Sequence, residues 1–119
     1  MASTKNLRTI IAAGTSNTAG STTTGTAIDL TTKYGGLLTA KITNGGTGPT
    51  VAASVYVYTS GDNTNFKLLY SQPANTTAAA VNEFAFEIPM GVMYLRVDVK
   101  DNTAQTVTCE AFLQELTTI

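Results

Sequence analysis

The stretch Val51-Ala-Ala-Ser-Val-Tyr-Val-Tyr-Thr59, followed by Ser60-Gly-Asp-Asn-Thr-Asn-Phe66, decides the fold class. Val51, Ala53, Val55 and Val57 fall on one side, with Ser54, Tyr56 and Tyr58 on the other. Successive side chains of an extended backbone point to opposite faces, so this alternation marks a half-buried strand. Ser60-Gly-Asp-Asn-Thr64 then supplies residues that tolerate positive φ or bond their own backbone, as a tight turn needs. Phe66, Leu68 and Tyr70 resume the alternation as a hairpin partner.

Working outward, the same period recurs in both directions. Leu38, Ala40 and Ile42 alternate with Thr39, Lys41 and Thr43, and Phe84, Phe86 and Ile88 alternate with Glu83, Ala85 and Glu87. Pro89, which has no amide to donate, ends that run. Met93, Leu95, Val97 and Val99 alternate with Tyr94, Arg96 and Asp98. In the last run Val107, Cys109, Ala111 and Leu113 face in and Thr108, Glu110, Phe112 and Gln114 face out. Leu7, Thr9, Ile11 and Ala13 suit an opening strand, and Thr26 to Leu30 a short one, while the polar run from Gly14 to Gly25 reads as a flexible loop or arm. No window carries a capped helical stripe. The expectation is a single all-β domain, an antiparallel β-sandwich or jelly roll of about eight short strands. Residues 1–25 are expected to be a flexible N-terminal strand and arm, and residues 26–119 the sandwich itself.

Composition removes whole classes of chemistry. The 119 residues include no His, no Trp and one Cys, so no Ser-His-Asp or Cys-His constellation can form within one chain. The lone Cys109 cannot build a zinc site or an intrachain disulfide, and on an inward face it reads as a small buried hydrophobe. Seven basic residues against eight acidic leave none of the positive footprint of a nucleic-acid binder. The charged fraction, 13%, is about half the usual ~25%, and threonine fills the surface instead. Ile10 to Ala13 is too short for a secretory h-region, and no apolar run is long enough to span a bilayer as a helix. The chain is expected to bind no nucleic acid, membrane or cofactor.

Each motif that could carry chemistry has a plainer reading. Asp62-Asn-Thr-Asn65 has oxygen side chains, but the alternation that calcium needs runs from Asp62 through Thr64 into Phe66, so a turn fits better. Gly45-Gly-Thr-Gly48 has no Walker lysine and no helix behind it. Glu83, Glu87, Asp98, Glu110 and Glu115 lie on polar strand faces, where solubility alone explains them. The outward aromatics Tyr56, Tyr58, Tyr94 and Phe112, together with Arg96, are the candidate interface, because Tyr and Arg are the residue types that carry contact energy.

Thr26-Ala-Ile-Asp-Leu-Thr-Thr-Lys-Tyr-Gly-Gly36, the Val55 to Phe66 segment, Ile88-Pro-Met-Gly-Val-Met-Tyr-Leu-Arg-Val97 and Cys109-Glu-Ala-Phe-Leu-Gln-Glu-Leu116 together resemble small structural proteins of tailed bacteriophages. The resemblance implies a non-catalytic virion protein, most often a capsid decoration or cement protein, with a tail or fibre component as the neighbouring role. It implies the major capsid protein or other virion proteins as partners, self-association, most simply as a trimer at a local threefold, and a place in the virion. The Ser60-Gly-Asp-Asn63 turn with Phe66, Tyr94-Leu-Arg96 and Glu110 to Leu116 is also similar to discoidin-like carbohydrate- or lipid-binding sandwiches. That family is usually longer, Trp-containing and disulfide-closed, and this chain has none of those features.

Overall fold

The computed structural model describes residues 3–118. Nine strands make two antiparallel sheets: β1 (Thr4–Asn17), β2 (Thr23–Thr24), β3 (Ile28–Asp29), β4 (Gly36–Asn44), β5 (Ser54–Ser60), β6 (Lys67–Pro73), β7 (Val81–Ile88), β8 (Tyr94–Lys100) and β9 (Val107–Thr118). One sheet has the order β1-β9-β4-β7. The other runs β2-β8-β5-β6, with β3 also pairing on β8. The pairing is nested: β1 with β9, β2 and β3 with β8, β4 with β7, and β5 with β6 as the innermost hairpin. This is the wiring of a jelly roll, in which a long hairpin is rolled up so that its arms alternate between two packed sheets.

The alternations translate directly into the core. Leu38, Ala40 and Ile42 of β4 and Cys109, Ala111 and Leu113 of β9 are buried against Val55, Val57, Leu95, Val97 and Val99 of the facing sheet. Full burial of a Val or Leu side chain contributes about 1.5–3 kcal/mol, so these two rows dominate stability. Burial also pushes the Cys109 thiol above its ordinary value, which suppresses the thiolate.

The N-terminal segment differs from its expected role. Residues 4–17 form the longest strand and pair along β9, so the sandwich begins at Thr4 rather than at residue 26. Ile10 and Ile11 are both buried, at 4% and 3% exposure, because a register shift between Thr9 and Ile11 turns two consecutive side chains inward. Gly25 amide donates to Val97 O at 2.8 Å and Thr26 amide to Ile10 O at 3.1 Å, so the expected arm is fastened to both sheets. A Cβ on Gly25 would collide with Ile10 and the Val97 carbonyl, which is why glycine sits there. Met1 and Ala2 of the expected arm, and Ile119 of the expected sandwich, lie outside the described residues.

The β6 segment also departs from simple alternation. A bulge opposite Val57 and Tyr58 makes Leu69 the extra residue, so Leu69 and Tyr70 pack on the core while Leu68 is 54% exposed. Met93 is likewise exposed, and Val92 fills the inward position before β8.

Candidate contact surface

β5 and β8 are the two inner strands of their sheet, and their outward residues stand in register. Ser60 lies opposite Tyr94, Tyr58 opposite Arg96, Tyr56 opposite Asp98, and Ser54 opposite Lys100. Cross-strand pairs on one face are the unit of sheet stabilisation, so these outward groups can only form one connected row. The Tyr56 and Tyr58 rings stack with centroids 6.3 Å apart and an interplanar angle of 16°. The Arg96 guanidinium lies 4.8 Å from the Tyr58 centroid and 4.6 Å from that of Phe66, and Lys100 Nζ is 4.6 Å from that of Tyr56. Each contact sets a cation on the negative face of an aromatic ring.

Acidic groups hold this row in place. Arg96 Nη2 donates to Asp98 Oδ2 at 3.3 Å. Arg96 Nε lies 3.2 Å from Asp98 Oδ1 but off line for a hydrogen bond, so that contact is purely electrostatic. The Tyr56 hydroxyl donates to the Asp101 carboxylate, and this bond, with a smaller contribution from burial, raises the phenol above its ordinary value. The surface is therefore a preorganised ridge, with its side chains already ordered before any partner arrives.

The structure brings together Tyr56, Tyr58, Tyr94 and Arg96 of the expected interface but not Phe112. Phe112 projects from β9 on the outer face of the other sheet, between Thr9 of β1 and Thr39 of β4. Phe66 and Lys100 join the ridge unforeseen. Lys100 shares the parity of Tyr94, Arg96 and Asp98, a signal present in the sequence. Phe66 precedes β6 and folds back over Arg96, which no local pattern encodes.

The Ser60–Asn65 turn uses its carboxylate internally. Asp62 Oδ1 accepts from the Thr64 and Asn65 amides at 2.9 and 2.8 Å and from Ser60 Oγ at 2.9 Å, and Oδ2 accepts from Asn65 Nδ2 at 2.8 Å. These donors, the backbone amides foremost, hold the carboxyl far below the usual carboxylate range. Asn63 takes the left-handed conformation at φ 59°, as the turn reading requires. Among the described residues no group of three or more His, Cys, Asp or Glu side chains is placed to hold a metal ion.

The outer face of the β1-β9-β4-β7 sheet has a different character. Leu7, Gln114, Leu37 and Glu87 form one row across it, and Thr9, Phe112, Thr39 and Ala85 the next. Leu7 and Leu37, at 60% and 44% exposure, flank Phe112 diagonally, and beside them an open groove of about 490 Å³ is lined by Leu37, Met90, Leu116, Lys5 and Glu87.

No protein-family model and no curated protein matches this sequence. Solved structures do match its fold. The chain is similar to a protein of the T13 viral particle of infectious bursal disease virus, with TM-score 0.63 and 11% identity, covering 96% of this chain and 31% of that one. It is similar to the K3 cleaved adhesin domain of Lys-gingipain from Porphyromonas gingivalis, with TM-score 0.55 and 13% identity over 82% of this chain and 66% of that one. It is also similar to Bacillus endospore appendages, disulfide-linked pili, with TM-score 0.54 and 10% identity over 100% of this chain and 93% of theirs. The chain thus spans just under two thirds of the adhesin domain and about a third of the viral chain. At these identities the likeness establishes the β-sandwich, an architecture found in capsid, adhesin and pilus proteins alike.

Proposed function

We propose that this chain is a structural protein of a tailed-bacteriophage virion, a decoration protein that docks on the major capsid protein or another virion protein and stabilises the shell without catalysing a reaction. The observation that carries the reading is the ridge of Tyr56, Tyr58, Phe66, Arg96 and Lys100. It has the composition of a binding hot spot, is tied together by its own contacts and stands on the outer face of its sheet. Sequence resemblance to phage structural proteins and a jelly-roll wiring of the kind used by capsid chains support it. A cement protein acts by mass action: many copies bind the assembled shell and not its dissociated subunits, so binding itself stabilises the shell.

The same ridge argues against a carbohydrate-binding module. A sugar platform needs open ring faces, and here one face each of Tyr56, Tyr58 and Phe66 is taken up by Lys100 or Arg96. The deciding experiment incubates the purified protein with expanded capsids that lack it and follows thermal disruption of the shell. Binding with a raised disruption temperature, both lost in Tyr58→Ala and Arg96→Ala variants that retain the native circular dichroism spectrum, is the expected result. Absence of capsid binding, cosedimentation with tails instead, or glycan-array binding abolished by Tyr58→Ala would overturn the decoration role.

A further inference from the structure

An edge strand carries a row of backbone N–H and C=O groups without partners, and folded proteins blunt such edges with bulges, proline, short strands or covering segments. Three of the four sheet edges here are blunted. β1 has three register shifts, and the Thr26 amide donates to its Ile10 carbonyl. β6 carries a bulge and ends in Pro73, while β2 and β3 are two residues each. β7 has none of these devices. Its eight residues pair with β4 in unbroken register, and no strand among the described residues pairs with its far side.

The ladder fixes which backbone groups of β7 stay open. The Asn44 amide donates to Ala80 O at 2.9 Å, and hydrogen-bonded pairs alternate along an antiparallel ladder, so Asn82, Phe84, Phe86 and Ile88 bond toward β4. Val81, Glu83, Ala85 and Glu87 therefore aim their backbone groups at the free edge. The Tyr70 hydroxyl agrees with this direction, donating to Glu87 O at 2.8 Å and closing the edge at that end. Toward the core the strand presents Phe84 and Phe86, half-buried and stacked with centroids 6.4 Å apart. Toward solvent it presents Glu83 and Glu87, both exposed and in no ion pair among the described residues. Lys41, which stands beside Glu83, is held by Glu110 at 3.3 Å.

We propose that β7 is a strand-addition site whose occupant is an extended basic segment of another protein, with the pattern basic, apolar, any residue, apolar, basic. In antiparallel pairing its two basic side chains stand opposite Glu83 and Glu87, and its apolar ones cover Phe84 and Phe86. This assignment goes beyond the virion reading and does not depend on it. The carboxylates also decide against a second copy of the chain. Every in-phase register of two β7 strands sets a Glu directly or diagonally opposite a Glu of the other copy. Nor does the chain carry the complementary segment in a free form. Among its seven basic residues only Arg96 and Lys100 stand four apart, and β8 already has a strand on each side.

The probe is a capped synthetic peptide, Thr-Lys-Val-Thr-Val-Lys-Thr, titrated into the isotope-labelled full chain and followed by amide NMR. The Glu83 and Ala85 amides should shift and gain protection from hydrogen exchange, while the amides of β5 and β8 stay fixed. N-methylation of the peptide at its central Thr and both Lys keeps the charge but removes the donors that face β7, and should weaken binding by about tenfold or more. A peptide with Glu in place of both Lys should leave the native chain unbound. It should bind the Glu83→Lys and Glu87→Lys double variant, which in turn loses the basic peptide by about tenfold. Ala85→Pro removes an amide that points away from β4, so the fold should survive and binding should be lost. If that variant unfolds, the N-methylated peptide decides the question on the native chain. No shift at β7 up to millimolar peptide, binding that survives N-methylation or a folded Ala85→Pro, or a double variant with unchanged preference would each overturn the proposal.

Discussion

At the scale of single residues, the polar groups inside the sandwich matter more than their number suggests. Glu115, expected from the sequence on a polar strand face, is 1% exposed because it shares the inward parity of Leu113, and Asp98, expected likewise, is also buried. The Glu115 carboxylate accepts from Asn6 Nδ2 at 3.2 Å and from Arg8 Nη1 at 3.3 and 3.4 Å. Removing one partner of a buried pair leaves the other charge without compensation, a far larger effect than losing a surface pair. Arg8→Ala should therefore destabilise by about 3 kcal/mol in urea unfolding, and Arg8→Ala with Glu115→Met should recover most of it. A loss below about 1 kcal/mol would mean that water satisfies Glu115 on its own. Asp62 gives a prediction in pH. Its carboxyl is depressed in the folded turn, so the stability it contributes is present above the unfolded value of about 4 and is lost as pH falls toward the folded one. Carboxyl-carbon NMR should show Asp62 still ionised where an ordinary aspartate has protonated. Asp62→Asn should flatten the acid limb of the stability profile, and a titration midpoint near 4 would refute both.

At the scale of elements, β1 is where reading the sequence and observing the structure part most clearly. With period two kept throughout, Ile10 and Ile11 cannot both face inward, and the polar run after Gly14 looks like a linker. A bulge resolves the first difficulty and hydrogen bonding the second. Asn17, 1% exposed, donates to Asn102 Oδ1 at 2.6 Å and to Ser21 O at 3.1 Å, and its own Oδ1 accepts from Thr23 Oγ1 at 2.8 Å. A buried Asn–Asn pair far apart in sequence has no local signature. By contrast β4, β5, β8 and β9 were legible because each has one wet and one dry face, which the alternation records. The ridge was legible for the same reason where it rests on β5 and β8. Phe66 was not, since its position depends on a turn closing over another strand. Deleting residues 3–13 removes most of the edge strand and its two core isoleucines, Ile10 and Ile11. The truncated chain should lose its cooperative thermal transition and its dispersed amide spectrum, whereas a free arm would leave both intact.

At the scale of the whole molecule, the nested pairing of a rolled hairpin imposes an order on folding. β5 and β6 are adjacent in sequence and close with a short turn, while β1 and β9 lie at opposite ends of the chain and yet make the longest ladder in the molecule. Closing a loop that contains nearly all of the chain costs entropy that the innermost pairs do not incur, so β1 and β9 gain their partners late. Long-range pairing of this kind slows folding to milliseconds or seconds in all-β domains. Two conservative deletions separate early strands from late ones. Val57→Ala, in the inner hairpin, should lower the folding rate and leave unfolding nearly unchanged. Ile11→Val, in β1, should mainly accelerate unfolding. Stopped-flow chevrons of the two variants measure both limbs directly. If Ile11→Val slowed folding as much as Val57→Ala, the terminal strands would belong to the nucleus. The inner hairpin could not then be its seed, and the first strand would have to find the last before the rest of the roll had formed.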